Sequence, residues 1–203
     1  MTTWYLFDYG MVISQAPKPA DWQRLRELSG HEFKGTDSPY WAAREEYDAG
    51  RLGVADYWRL VLGRPEASEE LIEALHHADL QAWSHLNPST ETVLAQLQSS
   101  GGRLALLSNM PTAMAEHYAR TSQWATRFEA LFFSGRLGMV KPGPRIYQHV
   151  LEELGVPAQQ VIFIDDRQEN LDAAAALGMR TVLHHPGVDL AAALSLPQGP
   201  IEG

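Results

Sequence analysis

Three acids, a hydroxyl and a lysine stand where they could do chemistry. Asp8 ends the apolar run WYLF in the stretch WYLFDYGMVIS, residues 4–14, which then breaks on Gly10. Ser108 and Asn109 follow the run RLALL, Asp165 and Asp166 follow VIFI, and Lys141 lies in the phrase GMVKPGP. Asn170, four residues after Asp166, can point back to the same place if a helix starts near Gln168. Three carboxylates brought together repel one another and need a cation or the lysine to compensate them. An all-oxygen set without Cys or His suits Mg²⁺, which completes its shell with water and a substrate phosphate.

These residues can meet only if the chain brings the ends of the runs to one edge. Runs at 4–14, 103–108, 130–134, 161–165 and 180–183 are continuous instead of alternating, the mark of buried parallel strands. Helical patterns at 89–100, 113–120, 144–154 and 168–177 separate them, the first read with a Ser/Thr cap after Pro88 and two others ending on Gly155 and Gly178. The expected fold is α/β, a doubly wound (Rossmann-like) parallel sheet. Residues 15–88 carry only helical patterns: 22–28, 40–47, 54–62 and a Ser68-capped run through Leu80. The expected organisation is a core of residues 1–14 and 89–203 with a helical cap, 15–88, inserted after the first strand. Ligands in open α/β sheets bind beyond the carboxyl ends of the strands, so the cap would lie over that edge as a lid. The tail from Pro186, and above all 196–203, is read as loose.

Composition narrows the partners. The 203-residue chain has a formal net charge of −9, which argues against nucleic acid. No apolar segment reaches the length needed to cross a bilayer, and Asp8 interrupts the N-terminal run, so neither a membrane span nor a signal peptide is expected. The absence of cysteine suits a reducing cytoplasm.

Each residue also has an ordinary reading. A strand-end aspartate is often a cap, Asp165-Asp166 could cap the following helix, Ser108-Asn109 could cap the helix after Pro111, and Lys141 could be a solvated loop lysine. The aromatics Tyr40, Trp41, Tyr47, Tyr57 and Trp58 read as lid core before sugar platform. Arg44 could read the far end of a substrate, although helix arginines are commonly exposed. His76-His77 and His184-His185 point in different directions within each pair and are read as surface.

Together the phrases LFDYGMV, LLSN, VKPGPRIY and FIDDRQEN, in this order, resemble the four motifs of the haloacid-dehalogenase-like hydrolase superfamily. The resemblance covers most of the chain, and the insert resembles the family's small helical cap. It implies that Asp8 is a nucleophile that takes up a phosphoryl group. Ser108 and the Asn109 backbone N–H would bind the phosphoryl oxygens, and Lys141 would neutralise the charge that Asp8 shares with the phosphate. Mg²⁺ would be held by Asp8, the Gly10 carbonyl and Asp166, with Asp165 on the metal or one water away. Asn170 would orient the acids and Lys141. The substrate would be a small phosphorylated metabolite.

Gly10 departs from the pattern. Most phosphatases of the superfamily carry there a second Asp that protonates the leaving oxygen and later activates water. The form of motif one here resembles the branch containing bacterial sugar-1-phosphate phosphatases, where this glycine also occurs. Unless another group replaces the acid, turnover should favour good leaving groups. Three rivals share the fold: a 2-haloacid dehalogenase, whose fourth motif usually has small polar residues at Asp165-Asp166, a silent phospho-ligand binding module, and a receiver-like domain, disfavoured because its acid pair would come early.

Overall fold

The computed structural model describes residues 3–33 and 35–196. Five parallel strands, β1 (Trp4–Phe7), β2 (Arg103–Ser108), β3 (Ala130–Phe133), β4 (Val161–Asp165) and β5 (Arg180–Leu183), form one sheet in the order β3-β2-β1-β4-β5. Successive residues point to opposite faces, and both faces are apolar. Phe7, Leu104, Leu106, Ile162 and Ile164 belong to one core cluster, and Leu6, Ala105, Leu107, Val161 and Phe163 to the other. That explains the unbroken apolar runs: a sheet covered on both sides leaves no polar face.

Helices α6 (Pro88–Ser99) and α7 (Thr112–Thr121) cover the first face through Leu94, Leu97, Met114 and Tyr118. Helices α9 (Pro144–Leu154) and α10 (Gln168–Ala176) cover the second through Ile146, Tyr147, Val150 and Leu171. Each such side chain contributes roughly 1.5–3 kcal/mol on burial. The cap of α6 is Asn87, whose side chain accepts from the Ser89 N–H, and not a Ser or Thr; Pro88 occupies the first helical position, where no N–H is needed. The short α8 (Ser134–Leu137) follows β3 directly. The segment read as a loose tail contains α11 (Leu190–Ala193), and Leu190 and Leu194 are buried in the first core cluster. Residues 197–203 lie outside the described residues.

Between residue 14 and α6 the described residues form the helices α1 (Pro19–Ser29), α2 (Pro39–Ala42), α3 (Arg44–Asp48), α4 (Val54–Leu62) and α5 (Glu69–Ala82). They have their own core, in which Tyr40, Tyr47, Tyr57 and Trp58 are fully buried. The pattern read as one helix over 40–47 is two helices, because Ala43 (φ −102°, ψ 1°) leaves helical geometry. Arg44 therefore starts a new helix four residues before Asp48, the spacing that lets the two side chains pair.

The end of α3 is fastened to the sheet. The Ser134 hydroxyl donates to the Asp48 carbonyl at 2.5 Å and accepts from the Met110 N–H at 2.8 Å. Beside it the backbones of Gly50 and Gly135 touch: a Cβ on Gly50 would stand 2.3 Å from the Gly135 carbonyl oxygen, and its φ of +72° disfavours any side chain. Gly50→Ala should cost more than ~1 kcal/mol, read as a lower midpoint of thermal unfolding; an unchanged midpoint would mean that this contact is not held in solution. Among the described residues no helix is long and apolar enough to cross a membrane.

Candidate active site

Register brings the motifs together. Phe7 is paired with Leu106 on one side and Ile164 on the other, so Asp8 stands level with Asp165 and one residue short of Ser108. The Asp8 N–H continues the ladder to the Ile164 carbonyl at 2.9 Å. Asp8, Asp165 and Asp166 offer carboxylate oxygens that all lie within 4.8 Å of one another.

Lys141 enters this cluster from the loop between α8 and α9. Its ammonium lies 2.9 Å from Asp8 Oδ1 and 2.6 Å from Asp165 Oδ2, and only 4% of the residue is exposed. It is no solvated loop lysine. Burial pulls its proton affinity down, but Asp8 and Asp165 outweigh that and hold it charged. Burial pushes the Asp8 carboxyl well above its usual range; Lys141 opposes this, and Asp165 and Asp166 add to it. Burial and then Asp165 raise the Asp166 carboxyl as well. One ammonium thus faces three acids, and the cluster is short of positive charge.

The supporting bonds sort the acids. Asp165 accepts from Lys141 Nζ, from the Arg167 N–H at 2.8 Å and from Asn170 Nδ2 at 2.9 and 3.1 Å, so both its oxygens are committed. It lines no part of the cavity above the site, whereas Asp8 and Asp166 do. Asn170 orients Asp165 and, through it, Lys141. Asn109 has a job that its sequence position did not announce. Its side chain donates to the Lys141 carbonyl and accepts from the Lys141 N–H, both at 2.9 Å, clamping the lysine loop beside Ser108.

A cavity of about 680 Å³ opens above these residues. Its floor includes Asp8, Gly10, Ser108, Asn109, Lys141 and Asp166, and its roof Trp41, Arg44, Glu45, Asp48 and Trp83. Arg44 does reach the cavity wall, but it is not held out toward a ligand. Its Nε donates to Asp48 at 2.9 Å, and its Nη1 donates to the Tyr40 hydroxyl at 2.6 Å and to Asp79 at 3.3 Å. Its charge is spent on Asp48 and on the buried Asp79 behind the roof. The aromatics are lid core as expected, except that Trp41 is half-buried and lines the cavity with Trp83.

Gly10 (φ −61°, ψ 132°) has an ordinary backbone, and a Cβ there would meet only Trp83, at 3.8 Å. A Cβ at this position has ordinary room. The left-handed residue of this turn is Met11 (φ 60°). His184 corrects the surface reading of its pair. It is buried because β5 continues one residue further, its N–H donating to the Asp165 carbonyl at 2.9 Å.

With this fold and this edge, the chain belongs to the haloacid dehalogenase-like hydrolase family, which it matches over residues 13–178. It is 28% identical over 138 residues to (S)-2-haloacid dehalogenase 4A of Burkholderia cepacia, covering 63% of this chain and 58% of that one. It is 30% identical over 121 residues to the phosphoserine phosphatase of Thermus thermophilus, covering 59% and 48%. The fold is shared with the HAD family enzyme bt-2542 of Bacteroides thetaiotaomicron, solved with magnesium and inorganic phosphate: TM-score 0.75, 20% identity, 95% of this chain and 99% of that one. The chain spans 33% to 63% of the length of the first curated relatives it matches.

Proposed function

We propose that this chain is a Mg²⁺-dependent phosphomonoesterase of the cytoplasm acting on a small phosphorylated metabolite, a sugar phosphate above all, through an aspartyl-phosphate on Asp8. The observation that carries it is the imbalance at the cavity floor, where Asp8 and Asp166 face open space and Lys141 is the buried cation paired with Asp8. Asp8, Asp166 and the Gly10 carbonyl would hold the ion, with Asp165 kept behind them by Lys141 and Asn170. The bound ion would supply positive charge against the phosphoryl oxygens.

The remaining work falls to the chain itself. Lys141 opposes the protonation of Asp8 and draws the phosphoryl group toward it. The Ser108 hydroxyl and the Asn109 N–H receive phosphoryl oxygens, and Asp8 attacks phosphorus as the alcohol leaves. Catalysis of this kind is mostly positioning and charge compensation. The cavity is of a size for a sugar phosphate, with Trp41 and Trp83 as flat apolar walls for a sugar face. The phosphate and magnesium of the Bacteroides neighbour and the activity named for the Thermus relative support the reading.

A second reading, attack by Asp8 on carbon, is favoured by the Burkholderia relative. Against it stands Asp166, a second acid beside Asp8 at the floor that carbon chemistry does not call for. The test is turnover of p-nitrophenyl phosphate and of (S)-2-chloropropionate, each with Mg²⁺ and with EDTA. Metal-dependent phosphate release is the expected outcome. Chloride release insensitive to EDTA would establish the dehalogenase, and no turnover of either would leave a binding module.

Metal binding should also be pH-dependent. Asp8 and Asp166 hold their protons more tightly than free carboxyls, and a metal must displace them. Mg²⁺ affinity should therefore rise from mildly acidic to neutral pH, and saturating Mg²⁺ should stabilise the fold by roughly 2.7 kcal/mol at a hundred times its Kd. Calorimetric titration at several pH values checks this, and Asp166→Asn should abolish the response.

A further inference from the structure

We propose that Asp48, from the helical segment, is the acid that replaces the one missing at Gly10: it protonates the departing oxygen and afterwards takes a proton from the attacking water. The inference rests on the phosphatase reading and supplies the residue that reading lacks.

The case starts from position. Asp48 lines the same cavity as Asp8 and Lys141 and its side chain is only 14% exposed. It does not depend on how the rest of the lid sits. From the Met110 N–H, next to the Asn109 that clamps Lys141, the bonds run to the Ser134 hydroxyl and on to the Asp48 carbonyl. The Gly50–Gly135 contact fastens the chain two residues further on. Asp48 is thus a roof residue that the floor holds in place.

Charge comes next. The groups facing Asp48 are Arg44 on its own helix, Asp79 of α5, the phenols of Tyr47 and Tyr57, and Lys141 below. Arg44 is shared between Asp48 and Asp79, and Lys141 is already claimed by Asp8 and Asp165. Asp48 and the buried Asp79 therefore share one guanidinium, and a proton is the counter-charge at hand. Burial pushes the Asp48 carboxyl up to about 6, opposed by Arg44 and Lys141 and assisted by Asp79. A carboxyl in that range can hold a proton and release it near neutral pH. Glu45, the other roof acid, is exposed.

The step balances. As an Asp8 oxygen bonds to phosphorus, the bond from phosphorus to the ester oxygen breaks, and that oxygen takes the Asp48 proton and leaves as the alcohol. Asp48, now a carboxylate against Arg44, accepts a proton from water as the water oxygen attacks phosphorus. Asp8 is freed, inorganic phosphate leaves, and Asp48 is again protonated.

The test is Asp48→Asn, which keeps an acceptor for Arg44 and has no proton to give. Two substrates are compared, p-nitrophenyl phosphate, whose leaving group needs no proton, and a primary alkyl phosphate, whose leaving group does. Expected is a fall of ~10²–10⁴-fold in kcat/KM for the alkyl ester, a fall of less than about tenfold for the nitrophenyl ester, and a burst of nitrophenolate as the aspartyl-phosphate accumulates. Equal falls for the two esters, or none, would overturn the proposal while leaving the phosphatase reading intact. So would Glu45→Gln giving the split that Asp48→Asn does not. Absence of phosphatase turnover in the unaltered protein would remove both.

The unaltered enzyme gives an independent reading should the variant not fold. The ratio of alkyl to nitrophenyl kcat/KM cancels the ionisation of Asp8, which both esters need. It should fall as pH rises and Asp48 loses its proton, approaching tenfold per pH unit. A ratio independent of pH would overturn the proposal.

Discussion

Asp8→Asn is expected to reduce turnover on the order of 10⁴-fold or more while the fold persists. The amide has nearly the size of the carboxylate but neither its charge nor its nucleophilicity. The N–H of residue 8 keeps its bond to the Ile164 carbonyl whatever the side chain, so the strand end should not move. Lys141 would keep Asp165 as a partner at 2.6 Å, and one of three clustered acids would be gone, so stability should hold or improve. Circular dichroism and thermal unfolding check the fold, and phosphate release checks the chemistry. Activity near that of the unaltered enzyme would place the nucleophile elsewhere.

Lys141→Ala should damage both turnover and stability. The ammonium is buried between Asp8 and Asp165, and its removal leaves two acids in a site that water scarcely reaches. Breaking such a pair from one side costs about 3–5 kcal/mol, and loss of a charge aimed at the reacting group costs about 10²–10³ in rate. The stability loss has a sign in pH. Burial already raises the Asp8 carboxyl against the opposing Lys141. Without Lys141, Asp8 holds its proton in the folded state more tightly still than in the unfolded chain, so stability falls as pH rises through that interval. The deficit against the unaltered protein should be small in mild acid and full at neutral pH. Urea unfolding at several pH values, without metal, measures it; a pH-independent deficit would mean that packing and not charge was lost.

The cavity floor was legible because it is carried by strand ends. An apolar run that stops on Asp, Ser-Asn or Asp-Asp marks both a buried strand and what it delivers, and parallel register does the rest. Lys141 was legible only through the motif around it, since nothing in GMVKPGP shows that its ammonium would be buried. The roof was not legible. Arg44 could be read as a substrate contact because its partner Asp79 lies 35 residues away. Asp48 drew no notice because what fixes it, the Ser134 hydroxyl, lies 86 residues away and belongs to none of the motifs. The sequence pattern places the helix end at Tyr47, one residue short of Asp48, so the i,i+4 pair with Arg44 falls outside it. Local pattern predicts strands and their ends well; it says little about long-range polar networks assembled by packing.

The most direct measurement is chemical trapping of the intermediate. The protein would be mixed with p-nitrophenyl phosphate and Mg²⁺, quenched in acid within one turnover, reduced with borohydride, and its peptides sequenced by mass spectrometry. An acyl phosphate is reduced to the alcohol, so homoserine in place of Asp8 is the expected result, at higher yield in the Asp48→Asn variant and absent from Asp8→Asn. Turnover with an intact aspartate at residue 8 in every quenched sample, or a reduced residue at another position, would contradict the assignment of Asp8 as the nucleophile.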